Sequence, residues 1–450
     1  MSDTRITRVS GRRIWDSRGR PTLEVDIALA CGVTGRGQAP AGASRGTREA
    51  ADLRDGGEHL GGFDVRRALA GISGEIAGVL IGVDAVDQES LDRMLIALDG
   101  TPGKSRLGGN ALIATSLAAL NATAAALRIP LWKYLAGACP VRIPLPEIQI
   151  FGGGAHAGHR VDVQDFMVMP LGASSFAEGL EWVAEIYRAA GTLLRERGVL
   201  AGVADEGGHW PSFGSNEEAL ETMVLAIARA GFDAGSEIGI SLDIAASELR
   251  VRGDEPFYRL ALESRELDSE AMIEMLCGWL DRYPIVSIED PLAEDDEQGW
   301  RLFMERVSRR GRPLQVIGDD LLVTNAALVE LAAQRVLCNA VLVKPNQAGT
   351  VTETHAALQA GQRAGMATIV SARSGETEDA TIAHLAVGWN AGQLKVGSFA
   401  RSERLAKWNE VIRIEEQLGS GATYAGRSAL AVSTIRAEGP ERFDSMTPPL

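Results

Sequence analysis

Leu314–Asn325 reads LQVIGDDLLVTN and, after a helical interval, Ala340–Gly349 reads AVLVKPNQAG. A short apolar run ends in two acids, Asp319 and Asp320, and about one strand–helix unit later a second apolar run ends in Lys344. Buried parallel strands that deliver charged residues at their carboxyl ends are how an α/β barrel assembles a site. The pattern extends in both directions. ISLDIAAS delivers Asp243, IVSIED delivers Glu289, ATIVSARSG delivers Ser371 to Ser374, and LKVGSFARSER delivers Lys395. These runs are expected to converge their carboxylates, an arginine and two lysines at one mouth.

The chain has 450 residues, enough for one large core and a second domain. A hydrophobic content of 45% marks a globular protein. No apolar run is expected to reach membrane-spanning length, and MSDTRITRVS lacks the layout of a signal peptide, so a cytoplasmic location is expected. A net charge of −15 argues against nucleic acid and anionic membranes as partners. It leaves room for a small anionic substrate, because a metal ion inverts the local field. Cys31, Cys139, Cys277 and Cys338 form no CxxC pair and are expected to be reduced, buried thiols.

Lysine usage is sharper. Lysine occurs only at Lys104, Lys133, Lys344, Lys395 and Lys407, and arginine carries the rest of the positive charge. A desolvated lysine can give up its proton, whereas arginine cannot. Two of these lysines follow apolar strand patterns, which points to positions where arginine will not serve.

Residues 4–30 read as a β-hairpin. Leu23, Val25, Ile27 and Leu29 alternate with other residues, and DSRGRP supplies the turn. A Gly- and Ala-rich loop is expected from Gly35 to Ala50; it lacks the GK[ST] ending of a P-loop. From Val65 to Leu127 the pattern is helical. Further on, Ser175 with Glu178 and Ser215 with Glu218 form capping boxes for two helices, and DEGG places Asp205 and Glu206 in a loop between them. Strand and helix then alternate to about Gly419, as in a parallel barrel.

Oxygen ligands from Asp243, Glu289 and Asp319 suit Mg²⁺ and not zinc. Strand pleat would aim Asp319 and Asp320 at opposite faces, so periodicity alone does not choose between them. A metal beside a lysine suits removal of a proton from carbon next to a carboxylate, where the metal stabilises the second negative charge.

The chain resembles the enolase family along nearly its whole length. The matching stretches include DSRGRPTLEV, AGASRGTREA, LDGTPGKSRLGGNA, GGAHAG, DEGG, SNEEALE, LDIAASE, YPIVSIEDPLAEDD, IGDDLLVTN, VLVKPNQAGT, SARSGETED and QLKVGSFARSER. The resemblance implies an α/β fold: an α+β domain over residues 1–140, then an eight-stranded enolase-type barrel over 141–438 whose first strands depart from βα order, then a tail at 439–450. It implies reversible dehydration of 2-phosphoglycerate to phosphoenolpyruvate with two Mg²⁺ ions. Enolase-superfamily sites are themselves the standard example of a lysine base beside Mg²⁺, so that chemistry is a family pattern and not an independent derivation.

By resemblance Asp243, Glu289 and Asp319 would hold the first metal, and Ser44 would reach the second when its loop closes. Lys344 would be the base at C2 and Glu206 the acid that helps hydroxide leave. Lys395 would face the substrate carboxylate, Arg373 and Ser374 would bind phosphate, and His156, Gln164 and Asp165 match family positions at the substrate. Homo-oligomers, dimers or octamers, are common in the family. The departures cluster. Ala372 replaces the His of SHRSGE, Asp165 shortens the Glu of QEF, and Gly152 stands at a usual Asn. In the loop, Ala41 replaces Ser and Arg45 replaces Thr, while His209-Trp210 replaces Phe-Ala after DEGG. Arg45 would hold an additional anionic group. The alternative is an enolase-like enzyme of secondary metabolism acting on a related substrate, such as a carboxyphosphonoenolpyruvate synthase. A third reading is a non-catalytic enolase-fold binding protein.

Overall fold

The computed structural model describes residues 3–251, 253 and 257–431, so the expected tail at 439–450 lies outside the described residues. The chain opens with an antiparallel sheet of β1 (Ile6–Trp15), β2 (Pro21–Leu29) and β3 (Thr34–Gln38), in the order β1-β2-β3. The DSRG turn closes the first hairpin because the Asp16 side chain accepts the backbone N–H groups of Arg18 and Arg20.

Gly35 and Gly37 lie in β3 and not in the expected loop. A Cβ on Gly35 would lie 2.1 Å from the backbone N of Ala122, and one on Gly37 would lie 2.2 Å from the carbonyl of Ala114. These glycines therefore serve close packing of a strand on a helix. The helix is Gly109–Leu127. Contrary to the sequence expectation it is long and apolar enough to cross a membrane, with a mean hydropathy of 1.4, but 83% of that window is buried inside the protein. An all-round apolar helix is the signature of a core helix sandwiched between layers.

The second unit is a closed barrel. Its strands are β4 (Leu145–Gly152), β5 (Asp165–Pro170), β8 (Ile238–Asp243), β12 (Ile285–Glu289), β13 (Gln315–Gly318), β14 (Ala340–Val343), β15 (Ala367–Ser371) and β16 (Gly392–Ser398). The order is β16-β15-β14-β13-β12-β8-β5-β4, and β16 pairs with β4 to close the ring. A hairpin of β6 (Leu200–Val203) and β7 (His209–Pro211) extends from β4, and a small antiparallel sheet of β9 (Arg250–Val251), β10 (Phe257–Leu260) and β11 (Arg265–Asp268) follows β8.

From β8 to β16 the neighbours are parallel, but β5 runs antiparallel to both β4 and β8. The helices Phe176–Arg197 and Asn216–Arg229 both follow β5, so the barrel begins strand–strand–helix–helix before regular alternation sets in. Ser175 and Ser215 cap these helices as the sequence foretold, accepting from Glu178 N and Glu218 N at 3.1 Å. The reversal of β5 puts its first residue, Asp165, at the same barrel end as the last residue of β8, Asp243, and the two are register partners.

Two expectations about the strand ends need correction. Asp319 and Asp320 lie past β13 in a turn, so strand pleat does not separate them, and both are buried. Lys395 sits within β16 and not beyond its end. Barrel stagger makes it the register partner of Ser371, the last residue of β15, and so lifts it to the mouth. The cysteines are all free, but only Cys338 is buried; Cys31 and Cys139 are exposed because they fall in turns.

Candidate active site

The carboxyl ends of the parallel barrel strands, with the amino end of the reversed β5, surround a pocket of about 330 Å³. Ser44, His156, Gln164, Asp165, Glu206, Asp243, Lys344, Ala372, Arg373, Ser374 and Lys395 all line it. Glu289 and Asp319 stand immediately behind this lining, bonded to the two lysines. The site residues singled out from sequence are thus brought to one mouth from widely separated stretches of chain, and none of them is stranded elsewhere in the fold.

Each lysine is tied to acids. Lys395 Nζ donates to Asp243 Oδ2 at 3.0 Å and to Glu289 Oε2 at 2.8 Å, and lies 3.8 Å from Asp165 Oδ2. Burial alone would lower its pKa, but Asp243 and Glu289 outweigh burial and push it well above the usual lysine range. Lys344 Nζ donates to Asp319 Oδ2. Burial pulls Lys344 down and Asp319 pulls it up, and the carboxylate wins. Gln164 Nε2 donates to Asp243 Oδ2 at 3.1 Å, and Gln347 Nε2 donates to Asp319 Oδ1 at 2.9 Å.

The aspartate doublet is resolved by a third acid. Asp290 accepts the backbone N–H of Asp319 at 2.9 Å and of Asp320 at 2.8 Å, so its carboxylate is committed to shaping the turn. Burial, then the neighbouring charge of Asp319, pushes Asp320 up to about 8. Asp290, Asp319 and Asp320 form one close carboxylate cluster, and His156, Asp165 and Glu206 form another group with metal-ligand spacing.

In that second group His156 Nδ1 lies 3.0 Å from Asp165 Oδ1, and Nε2 lies 3.9 Å from Glu206 Oε1. Burial would lower the His156 pKa, but Asp165 and Glu206 overcome it and hold the imidazole up to about 9. The same contact, against burial, keeps Asp165 at about 2. The protonated imidazole is therefore a fixed cation between two acids.

The loop from Pro40 to Ala50 closes over the pocket. Ala41 and Gly375 exchange backbone hydrogen bonds at 2.9 Å, and Ala43 N donates to Ser374 Oγ at 2.6 Å. Gly42 is pressed so close to Arg373 that a Cβ there would lie 1.9 Å from Nη2. Arg45 points away: it is 3.7 Å from Asp52 and lines a neighbouring cavity, which places the expected extra anion contact outside the main pocket. Ala372 is buried and lines the pocket, with its N–H bonded to the Lys395 carbonyl at 2.9 Å.

Sequence reasoning missed several supports. Gln149 donates to Asp165 Oδ1 and accepts Gly208 N at 2.8 Å, tying the barrel wall to the DEGG loop. His209 stacks on Tyr187 with centroids 4.1 Å apart, and Tyr187 Oη donates to the Gly207 carbonyl at 2.9 Å, so the unusual histidine braces the same loop. Glu49, Gln347 and Asn346 ring Arg373 and Asp319. Asn346 and Gln347 carried a sequence signal in the KPNQ turn after Lys344, and His209 carried one as a departure from the family pattern.

Two family models cover nearly the whole chain: "Enolase, N-terminal domain" matches residues 6–135 and "Enolase, C-terminal TIM barrel domain" matches residues 140–433. The chain belongs to the enolase family. Among its relatives in that family, "Enolase 1" of Desulfitobacterium hafniense (strain Y51) is 47% identical over 437 residues, spanning 97% of this chain and 99% of that protein. The family's fold accounts for both the antiparallel sheet at the start and the closed barrel that carries the pocket.

Proposed function

We propose that the protein is a phosphopyruvate hydratase-type carbon–oxygen lyase that interconverts 2-phosphoglycerate and phosphoenolpyruvate. The observation that carries this reading is the pair of buried lysines, each on its own acids, facing one small polar pocket beneath a closing loop.

The chain's residues divide the work. Lys344 removes the proton at C2; to do so its Nζ must be neutral and must let go of Asp319, the carboxylate that now holds its pKa up. Lys395, held charged, faces the substrate carboxylate and favours the form that carries extra negative charge. Glu206, 3.9 Å from the His156 imidazole, donates the proton that lets hydroxide leave. His156, Gln164 and Asp165 orient the sugar-acid backbone, and Arg373 with Ser374 receives the phosphate.

Asp243, Glu289 and Asp319 supply a buried, all-oxygen donor set, and Glu289 Oε1 is buried with no hydrogen-bond partner among the described residues. That orphaned oxygen and the hard donor set fit Mg²⁺. Bound there, Mg²⁺ supplies positive charge against the doubly charged carboxylate of the deprotonated substrate. Ser44, on the closing loop and in the pocket lining, would serve a second ion.

The test is phosphoenolpyruvate formation from 2-phosphoglycerate with and without Mg²⁺, with Lys344→Ala as control. Metal-dependent turnover that the control loses supports the reading. No turnover alongside measurable Mg²⁺ binding overturns the substrate assignment, and a related phosphonate acid is then the substrate class to try. Ala372 favours that second reading, because it replaces a family histidine in the pocket lining.

A further inference from the structure

Arg373 is buried, yet its guanidinium is already occupied by the lid. Nη1 donates to Glu49 Oε2 at 2.9 Å and to Asn346 Oδ1 at 3.3 Å. Nη2 donates to Glu49 Oε1 and to the Ser44 carbonyl, both at 3.2 Å. Among the described residues only Nε is left without a partner, so an incoming anion meets that edge. The fork between a planar guanidinium and a carboxylate fixes orientation as well as charge.

Glu49 is itself held from several sides. Its Oε1 also accepts Gly46 N at 3.1 Å and Gln347 Nε2 at 3.2 Å. Gln347 then reaches both ends of the chemistry. Its Nε2 donates to Asp319 Oδ1 at 2.9 Å, and its Oε1 accepts the Thr324 hydroxyl at 2.6 Å. That hydroxyl oxygen accepts the backbone N–H of Lys344 at 2.9 Å. A continuous path of hydrogen bonds therefore runs from the lid through Glu49 and Gln347 to Asp319 and Lys344.

We propose that Glu49 is a positioning residue that couples closure of the Pro40–Ala50 loop to the orientation of Arg373 and, through Gln347, of Asp319. The carboxylate does not compete with the substrate anion. It is saturated by lid and barrel donors, and it fixes which edge of Arg373 the anion meets. Removing one partner of a buried charge pair leaves the other uncompensated, so loss of Glu49 frees both the lid and Arg373. The assignment of Asp319 and Arg373 to metal and phosphate rests on the function proposed above; the lid coupling does not.

The experiment uses the full-length protein with Glu49→Gln and Glu49→Ala. Lid position is read as the rate of tryptic cleavage at Arg45, a half-exposed lid residue, against cleavage at exposed Arg309 as reference. Both variants are expected to speed cleavage at Arg45 about tenfold with Arg309 unchanged, because local opening sets the proteolysis rate. Mg²⁺ affinity by calorimetry is expected to weaken about tenfold in Glu49→Gln and to weaken no further when Gln347→Leu is added. Unchanged cleavage at Arg45, or equal acceleration at both sites, overturns the lid role. Unchanged Mg²⁺ affinity, or full additivity with Gln347→Leu, overturns the coupling to Asp319. Both readouts work on protein with no organic substrate. If the wild type fails to turn over 2-phosphoglycerate, the function proposed above fails while the cleavage and Mg²⁺ results still decide the role of Glu49.

Discussion

On the barrel side of the pocket, Asp243, Glu289 and Lys395 ride on β8, β12 and β16; on the lid side, Ser44, Arg45 and Glu49 ride on a loop. The strand residues are locked by ladder register: Asp243 pairs with Glu289 across β8 and β12, and Lys395 pairs with Glu147 across β16 and β4. The loop joins the barrel backbone at its two ends, through Ala41 with Gly375 and Ala50 with Gln347, and Ser44 and Glu49 between them meet it through hydrogen bonds that involve side chains. The departures from the family pattern follow this division only in part, because Gly152 ends β4 and Asp165 begins β5, both on the barrel wall. The expected base, the expected carboxylate ligands and both lysines fit the pattern, whereas Ala41 and Arg45 in the lid and Ala372 beside Arg373 do not. A register-locked wall tolerates little change in where its side chains point, whereas a loop can exchange residues and re-aim its contacts. The proposed base, both lysines and the proposed carboxylate ligands thus keep the family pattern, while the lid, Ala372 beside Arg373 and Asp165 beside Lys395 depart from it.

The strongest challenge to that division is Lys344→Arg. It keeps the charge beside Asp319 and removes a group able to lose its proton. Turnover is expected to fall about 10³-fold or more, with the circular dichroism spectrum and melting cooperativity retained. A variant that keeps a tenth of wild-type kcat would remove Lys344 from the role of base.

Asp319→Asn against Asp320→Asn probes the turn just beyond β13. Asp320 is held up at about 8 by burial and by Asp319, so it is largely neutral near pH 7 and poorly suited to hold a cation. Asp319→Asn is expected to raise the Mg²⁺ requirement at least about 10-fold, and Asp320→Asn by only a few-fold. The opposite ranking would reassign the ligand. Asp290 makes the comparison clean, because it fixes both backbone N–H groups whichever side chain is changed.

How far the sequence could be read follows the same split. Asp243 and Glu289 were legible because each closes an apolar run, and a charge at the end of a buried strand is costly unless a partner or a ligand compensates it. Asp165 has no such signature. It begins a strand, and only the antiparallel course of β5 brings it to the mouth. Gly35 and Gly37 misled, since glycine density reads equally as mobility and as close packing. Glu49 was invisible: a glutamate in a polar loop is ordinary, and its importance comes from Arg373, more than 300 positions away in the chain. Contacts formed between loop and barrel leave no periodicity in either.

A smaller effect, on stability, is expected from His156, which sits where the two halves meet. Its folded-state pKa of about 9 lies above the ordinary 6.5, so the folded protein binds the proton more tightly than the unfolded chain. The stabilisation is complete below pH 6.5 and is lost as pH rises through about 9. The shift corresponds to roughly 3 kcal/mol. Asp165 acts in the other direction: held at about 2, it contributes above its ordinary range and loses that contribution as pH falls through about 2. Thermal melts from pH 6 to pH 10 are expected to show falling Tm, and His156→Gln is expected to flatten the slope. A wild-type slope that survives His156→Gln would mean that other groups carry it.

The smallest expected effect belongs to Arg45→Thr, which restores the family residue in the lid. Arg45 is 43% exposed along its side chain and stands 3.7 Å from Asp52, the geometry of a surface pair contributing about 0–1 kcal/mol. With the lid closed it faces a side cavity, so KM for 2-phosphoglycerate is expected to change less than about twofold. A tenfold change would require Arg45 to swing past Gly46 toward the pocket, against packing in which a Cβ on Gly46 would already lie 2.5 Å from Val323. Such a result would make the lid's arginine a substrate contact and would favour a substrate with one more anionic group than 2-phosphoglycerate. Repeating the measurement in Glu49→Gln separates the cases. If the lid brace keeps Arg45 outside, loosening it raises the KM effect of Arg45→Thr; if Arg45 never approaches the substrate, the effect stays small in both backgrounds.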